Sequence, residues 1–264
     1  MSDTHTLHRG TAPLLVSVPH DGHRIPEDIA ARMRPAARVA PDTDWHVARL
    51  YAFARDLGAS MIVPSYSRYV VDLNRPPDDV SLYPGQNTTG LCPATQFSGE
   101  PIYRKGEEPT HADIVERVER YWQPYHTALA AELARLKAEH GRVLLWEGHS
   151  IRGDCPWLFE GQLPDLNLGT ADGRSCSPQV QTQIEAELAA QTDYSWVVNG
   201  RFKGGYITRH YGDPANGIDA VQLEIAQRSY MDEDSGEWQE RAAVRLRLTL
   251  ERLLLAGLGA AASP

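Results

Sequence analysis

The sequence predicts an α/β protein of three layers, with a central mixed, largely parallel sheet between two layers of helix. Two observations predict this. Short aliphatic and β-branched runs alternate along the chain with stretches of helical periodicity, the order that builds an α/β layer fold. The length of 264 residues, 42% hydrophobic and 23% charged, suits one large α/β domain or two small ones. With no internal repeat, long linker or low-complexity tract, residues 1–264 read as one domain.

Taken in order, Leu14 to Val18 is a buried first strand. Asp44 to Leu57 reads as a helix, because Val47, Leu50, Tyr51 and Ala54 recur at helical spacing and Gly58 follows. Ser60 to Val63 is a second strand, and the β-branched run Tyr69 to Leu73 a third, stopped by Pro76. Asp78 to Glu108 is rich in Pro, Gly, Thr and Asn; an excursion that long inside a compact domain is usually functional. Thr110 to His140 is a long amphipathic helical segment with a stripe of Ile114, Val118, Tyr121, Tyr125, Leu129, Leu133 and Leu136, kinked at Pro124. Arg142 to Glu147 is a fourth strand that runs into Gly148-His149-Ser150. A short strand at Leu166 to Leu168, a helix at Pro178 to Ala190 and a strand at Ser195 to Val198 follow. Tyr206 to Tyr211 and Asp219 to Ile225 read as late strands, and a terminal helix runs from about Glu237 to Leu255.

The composition excludes several classes. A formal net charge of −9 opposes nonspecific nucleic-acid binding, which needs basic surface. It does not oppose a small anionic ligand in a local basic pocket. No apolar run approaches membrane-spanning length, and the first ten residues carry no apolar signal core. The three cysteines, Cys92, Cys155 and Cys176, form no CxxC and suit a reducing cytosol. The expected partner is a small molecule, and the expected state a monomer or small homo-oligomer. No P-loop, dinucleotide fingerprint, HExxH or GxSxG occurs, so metal-assisted hydrolysis gains over phosphoryl, hydride and serine acyl transfer.

In an open sheet of this kind, ligands sit outside the carboxyl ends of strands. Several polar residues fall there. His20 in Pro19-His20-Asp21-Gly22-His23 follows the first strand, and His149 the fourth; a rigid strand end with an open approach suits a metal-ligating imidazole. Candidate carboxylates to complete the set are Asp42 and Asp44, although either equally suits helix N-capping. His46 and His23 are reserve ligands, and Glu147 a weaker one. In Ala220-Val-Gln-Leu-Glu224-Ile225, Val221, Leu223 and Ile225 share one face and Gln222 and Glu224 the other. Glu224 so placed suits a general base beside activated water. Arg75, delivered with Asp72 and Asn74 by the Tyr69 run, suits a planar carboxylate through its guanidinium fork. With Arg68 it makes two guanidinium groups that can hold a carboxylate and a developing oxyanion separately. Arg201, Lys203 and Arg209 supply a second possible anion contact, with the Gly204-Gly205 pair allowing close backbone approach.

Together these pieces resemble the N-formylglutamate amidohydrolases, the deformylases of histidine degradation. The resemblance covers nearly the whole chain. It rests on Ser17-Val-Pro-His-Asp-Gly22, Asp42-Thr-Asp-Trp-His46, Tyr69-Val-Val-Asp-Leu-Asn-Arg-Pro76, Leu82-Tyr-Pro84, Glu147-Gly-His-Ser150, Asn199-Gly-Arg-Phe-Lys-Gly-Gly-Tyr206, Gln222-Leu-Glu-Ile225 and Tyr230-Met-Asp-Glu233. Each is short; their number and order make the match specific. That family is similar in fold to zinc carboxypeptidases and aspartoacylases, which use His-x-x-Glu plus a distant His as zinc ligands. The resemblance implies a phosphorylase/hydrolase-like architecture and one divalent metal ion, zinc first and cobalt second. Its ligands would be His20 and His149. His23 stands where the relatives have their Glu, so the third ligand is open among Asp44, Asp42, His23 and Glu147, with Asp44 expected first. The resemblance also implies that Asn74 and Arg75 bind a substrate carboxylate, that Arg68 polarises the scissile carbonyl and that Glu224 is the general base.

Overall fold

Seven strands form one sheet in the computed structural model, which describes residues 4–82 and 85–261. The strands are β1 (His5–His8), β2 (Leu14–Ser17), β3 (Ser60–Pro64), β4 (Val143–Ile151), β5 (Leu166–Gly169), β6 (Trp196–Val198) and β7 (Ile218–Ala226). Their spatial order is β1-β3-β2-β4-β7-β5-β6. The central four, β3, β2, β4 and β7, run parallel. β1 lies antiparallel on one edge, and β5 joins β7 antiparallel with β6 parallel beyond it. The sheet is therefore mixed and largely parallel at its centre, as the alternation of strands and helices predicted.

The helices are α1 (Glu27–Ala30), α2 (Val47–Leu50), α3 (His111–Arg117), α4 (Gln123–His140), α5 (Pro178–Ala190), α6 (Tyr206–Tyr211) and α7 (Glu240–Ala261). Two apolar cores lie on the two faces of the sheet. On one, Leu14, Val16, Leu144, Trp146, Val221 and Leu223 pack with Val180 and Ile184 of α5 and Leu246, Leu250 and Leu253 of α7. On the other, Leu15, Ile62, Leu145 and Ala220 pack with Tyr125, Leu129, Leu133 and Leu136 of α4. The strand residues alternate between the cores because successive side chains point to opposite faces. Every residue of β4 is buried, as a parallel strand covered on both faces must be.

Three expectations need correction, and one strand was not expected. Tyr69 to Leu73 is not a strand: its apolar side chains are buried, but its backbone bonds in turns, Val70 N–H to Ser67 O and Arg75 N–H to Asp72 O. The Asp72 carboxylate closes a further turn on the Asn74 N–H at 2.9 Å. Tyr206 to Tyr211 is a helix, not a strand. Its first free N–H groups find remote acceptors, Ile207 on Asn74 Oδ1 and Thr208 on Glu147 Oε2, which supplies the satisfaction that a helix N-terminus needs. The Asp44 to Leu57 segment is not one helix but α2 followed by a 3₁₀ turn, Ala52–Arg55. His46, at φ 66°, is left-handed and blocks helical backbone from Asp44 onward. The strand β1 was not foreseen, because an exposed edge strand such as His5-Thr-Leu-His8 carries no continuous apolar run. Pro124 does disturb its helix: a π-helical turn, Val118–Trp122, stands directly before α4, where the missing proline N–H loosens the ladder.

Candidate metal centre and anion pocket

Three separate segments of the chain meet at one end of the sheet. The chain leaving β2 carries His20, the turn before α2 carries Asp44, and β4 carries His149. Their donor atoms all lie within 4.8 Å of one another, and all three side chains are buried. This is the one such group among the described residues that includes two histidines and a carboxylate. Asp44 Oδ2 is 3.1 Å from His149 Nδ1 and 3.7 Å from His20 Nδ1. A tetrahedral ion with bonds of about 2.0–2.1 Å needs ligand atoms roughly 3.3 Å apart, a spacing these distances bracket.

Neighbouring carboxylates orient both imidazoles. His20 Nε2 is 2.7 Å from Asp72 Oδ1, and His149 Nε2 is 2.7 Å from Glu147 Oε1. Each ring thus gives its Nε2–H to a carboxylate and turns Nδ1 toward Asp44, the arrangement typical of metal-ligating histidine. Two atoms of the trio, His20 Nδ1 and Asp44 Oδ1, are buried without a hydrogen-bond partner. Buried polar atoms rarely go unpaired, so the residues present fit a cation. Burial opposes ionisation of Asp44, but the two imidazoles outweigh it and hold its carboxyl far below the usual range. Burial likewise opposes charge on His149, yet Glu147 and Asp44 raise it well above the ordinary value.

The reserve ligands fall elsewhere. Asp42 accepts the Tyr69 hydroxyl at 2.6 Å and the Phe97 N–H at 2.8 Å. His23 is exposed and faces Trp45, and His46 Nε2 contacts Gly236 O. Glu147 supports His149 rather than joining the trio. A sequence signal for that support existed: Glu147 and His149 are two apart in a strand and so share a face.

Glu224 reaches the site through register. In the parallel ladder β4–β7, His149 stands opposite Glu224 and Glu147 opposite Gln222. Burial pushes the Glu224 carboxyl up to about 8, while His149 pulls it down and Asp44 adds to the rise. Gly148, between the two acidic-facing positions, points to the other side, where an added Cβ would meet Tyr51 at 2.7 Å.

Arg68 is buried between two carboxylates, with Nη2 2.7 Å from Asp72 Oδ2 and Nη1 3.5 Å from Asp44 Oδ1. Its guanidinium carbon lies 4.6 Å from the centre of the Phe97 ring. Burial opposes its charge, but Asp72 and Asp44 raise its pKa further. Asp72 was prominent in the sequence but given no task; here it ties His20, Arg68 and the Asn74 backbone together. Gln222, also without an assigned task, accepts the Gly205 N–H at 2.7 Å.

The pocket over this cluster is lined by His20, Asp44, Arg68, Asn74, Arg75, His149, Arg201 and Glu224, with Thr88, Thr89, Phe97 and Phe202 among its other walls. Arg75 is anchored by Nε to Thr89 O and Nη1 to Asn74 O. Arg201 is anchored by Nε to Leu158 O and Nη2 to Asn87 O, so the 78–108 excursion does contribute to the wall. Asn74 Oδ1 accepts from Ile207, and its Nδ2 lies 3.1 Å from His149 Nε2. Two expected anion contacts are not in this wall: Lys203 pairs with Asp172 at 3.0 Å, and Arg209 Nε donates to Gly204 O. Within the Leu82-Tyr-Pro84 motif, Tyr83 and Pro84 lie outside the described residues.

The arrangement can polarise a carbonyl, take a proton from water and hold an anionic ligand. A family model described as N-formylglutamate amidohydrolase matches residues 12–231. N-formylglutamate deformylases of Pseudomonas putida and Pseudomonas aeruginosa are each 50% identical to this chain. The first match covers 95% of this chain and 94% of the relative, the second 97% and 98%. The crystal structure of an N-formylglutamate amidohydrolase from Ralstonia eutropha JMP134 matches with a TM-score of 0.81 at 27% identity, over 98% of this chain and 97% of that one. A gene product of Agrobacterium tumefaciens, at 16% identity and a TM-score of 0.72, shares the fold. With a family model spanning most of its length and relatives at half identity along nearly all of it, the chain belongs to the N-formylglutamate amidohydrolase family.

Proposed function

We propose that this protein, as a single domain over residues 1–264, hydrolyses N-formyl-L-glutamate to formate and L-glutamate in the cytoplasm, within a route of histidine degradation. The cofactor is one divalent ion, zinc first and cobalt second, held by His20, Asp44 and His149. The observation that carries this reading is convergence: the ligand trio, Glu224 and three arginines line one pocket. The Pseudomonas relatives named N-formylglutamate deformylase support the substrate.

When bound, the ion would supply Lewis acidity, making an amide carbonyl more electrophilic and water more acidic. The chain's own residues do the rest. Glu224 takes a proton from the attacking water. A carboxyl raised by burial toward the working pH suits that task, and a neighbouring cation draws it back into the ionised form. Arg68 donates to the oxygen that becomes anionic as the water oxygen bonds to the formyl carbon, from a buried position where such donors count most. Glu224 then gives its proton to the nitrogen as the C–N bond breaks. Arg75 and Arg201 hold the two glutamate carboxylates, with Asn74 beside Arg75. Their guanidinium groups are fixed by backbone carbonyls, so little freedom is lost when a ligand arrives.

The test is glutamate release from N-formyl-L-glutamate by purified protein, before and after chelation and with zinc or cobalt restored. Turnover that vanishes with the chelator and returns with metal is the expected result. Absence of turnover in zinc-loaded protein would refute the substrate assignment, and turnover indifferent to a strong chelator would refute the cofactor.

A further inference from the structure

A cavity of about 470 Å³ adjoins the catalytic pocket, which itself encloses about 60 Å³. The two have three wall residues in common, Phe97, Ser150 and Ile151. Ser150 is held by its N–H to Asp44 and its hydroxyl to Tyr230, and Ile151 is the last residue of β4. Phe97 is the bulky member of the partition. It sits at the tip of a narrow turn closed by Gln96 N–H to Glu100 O at 2.8 Å and Gly99 N–H to Gln96 O at 2.9 Å. Its own N–H is bonded to Asp42, which also takes the Tyr69 hydroxyl. The backbone that carries the ring is therefore held, and Arg68 lies against one side of the ring.

From this geometry we infer that Phe97 sets the acyl-group selectivity, and that the cavity behind it is a latent subsite for longer N-acyl chains. The inference rests on the deformylase reading above. Arg68 faces the scissile carbonyl oxygen in that reading, so the ring stacked on Arg68 lies beside the carbonyl carbon. The amine side of the amide leads away to the carboxylates held by Arg75 and Arg201. The remaining substituent of the carbonyl carbon is then directed at Phe97. A formyl hydrogen needs no room there; a methyl or propyl group meets the ring. Beyond the ring, Cys155, Pro156 and Trp157 offer apolar wall beside the polar Arg152, Asp154 and Gln227, and Asp42 Oδ2 is taken by its two donors. An acyl chain admitted past position 97 would thus find space and apolar contact.

The experiment compares kcat/KM for N-formyl-, N-acetyl- and N-butanoyl-L-glutamate on zinc-loaded wild type, Phe97→Ala and Phe97→Leu. The ratio between substrates is the readout, because it is independent of the active fraction and of any general loss from uncovering Arg68. A methylene-sized change in an apolar pocket alters discrimination by roughly 10–200-fold. The acetyl-to-formyl ratio is expected to rise at least about tenfold in Phe97→Ala, less in Phe97→Leu, with butanoyl gaining most in the alanine variant. Ratios unchanged in both variants, or a wild type that already accepts acetyl as well as formyl, would overturn the inference while leaving formylglutamate hydrolysis standing. A wild type inactive on N-formyl-L-glutamate would instead overturn the proposed function, and this inference with it.

Discussion

Asp72 ties three groups of the site together, and replacing it by asparagine keeps its shape while removing its charge and one acceptor oxygen. Its Oδ1 accepts from His20 Nε2 at 2.7 Å and from the Asn74 N–H at 2.9 Å; its Oδ2 accepts from Arg68 Nη2 at 2.7 Å. Asparagine keeps one oxygen for His20 and Asn74 but turns an NH₂ toward the guanidinium, donor against donor. The flipped amide repairs Arg68 at the expense of His20. Removing one partner of a buried ion pair costs about 3–5 kcal/mol, because the other charge stays buried. Arg68 retains Asp44 Oδ1 at 3.5 Å, which places the expected loss near the low end, about 3 kcal/mol. The second effect is on the metal. Losing a carboxylate that orients a ligating histidine weakens metal affinity by about 10–100-fold. Urea unfolding of chelated protein reads the first effect, and zinc competition with a chromophoric chelator reads the second. A stability loss under about 1 kcal/mol together with zinc affinity within about twofold of wild type would refute the argument, since both cited penalties would be missing.

Glu224→Gln should keep its zinc, because Glu224 is not one of the three ligands, but lose about 10²–10⁴-fold in turnover; a loss under about tenfold would remove it as proton carrier. Arg75→Lys should mainly raise KM for N-formyl-L-glutamate, since a point charge cannot replace a fork already braced by Thr89 O and Asn74 O. An unchanged KM would end the carboxylate assignment. Acid stability offers a separate check through His126, which bonds Leu73 O and the Tyr211 hydroxyl and whose pKa burial pushes down to about 3. The unfolded chain takes up this proton below about pH 6.5 and the fold refuses it, so stability falls as pH drops from about 6.5 to 3, at about 1.4 kcal/mol per unit. His126→Gln should flatten the dependence by that slope in urea titrations between pH 7 and 4.5; an unaltered slope would show that this imidazole is not responsible.

What was legible in the sequence was local, and what was not depended on remote partners. The first part of β4 could be read because a strand covered on both faces is a continuous apolar run, but the strand continues through Glu147-Gly-His149 to Ile151. The common face of Gln222 and Glu224 followed from a period of two. The pairing of His149 with Glu224 did not, since register between strands some seventy residues apart in sequence leaves no local trace. Tyr69 to Leu73 carries the composition of a strand because its side chains are buried, yet its backbone turns to carry Asp72 under His20. Tyr206 to Tyr211 has β-type residues and becomes a helix because Asn74 and Glu147 cap it from other parts of the chain. Asp42 and Asp44 are equivalent in sequence. Only the structure separates them, by giving Asp42 to Tyr69 and Phe97 and leaving Asp44 Oδ1 without a hydrogen-bond partner.

Formal charge explains why such a cluster calls for a cation, and yields a last prediction. Four carboxylates, Asp44, Asp72, Glu147 and Glu224, converge here, all buried. Three guanidinium groups, Arg68, Arg75 and Arg201, line the same pocket, and four negative against three positive leaves an excess of one negative charge. Unbalanced charge is expensive away from water, and the remedy must be protons or a cation. One divalent ion among His20, Asp44 and His149 more than offsets the excess. Binding to the folded chain alone should then stabilise it by about 2.7 kcal/mol at a free zinc concentration one hundred times the dissociation constant. Unfolding measured at buffered free zinc should show a midpoint that climbs with the logarithm of zinc concentration, and Asp44→Asn should need much more zinc for the same climb. Midpoints that ignore zinc in the wild-type protein would mean that the charge is met by protons alone, and that His20, Asp44 and His149 are not a metal site.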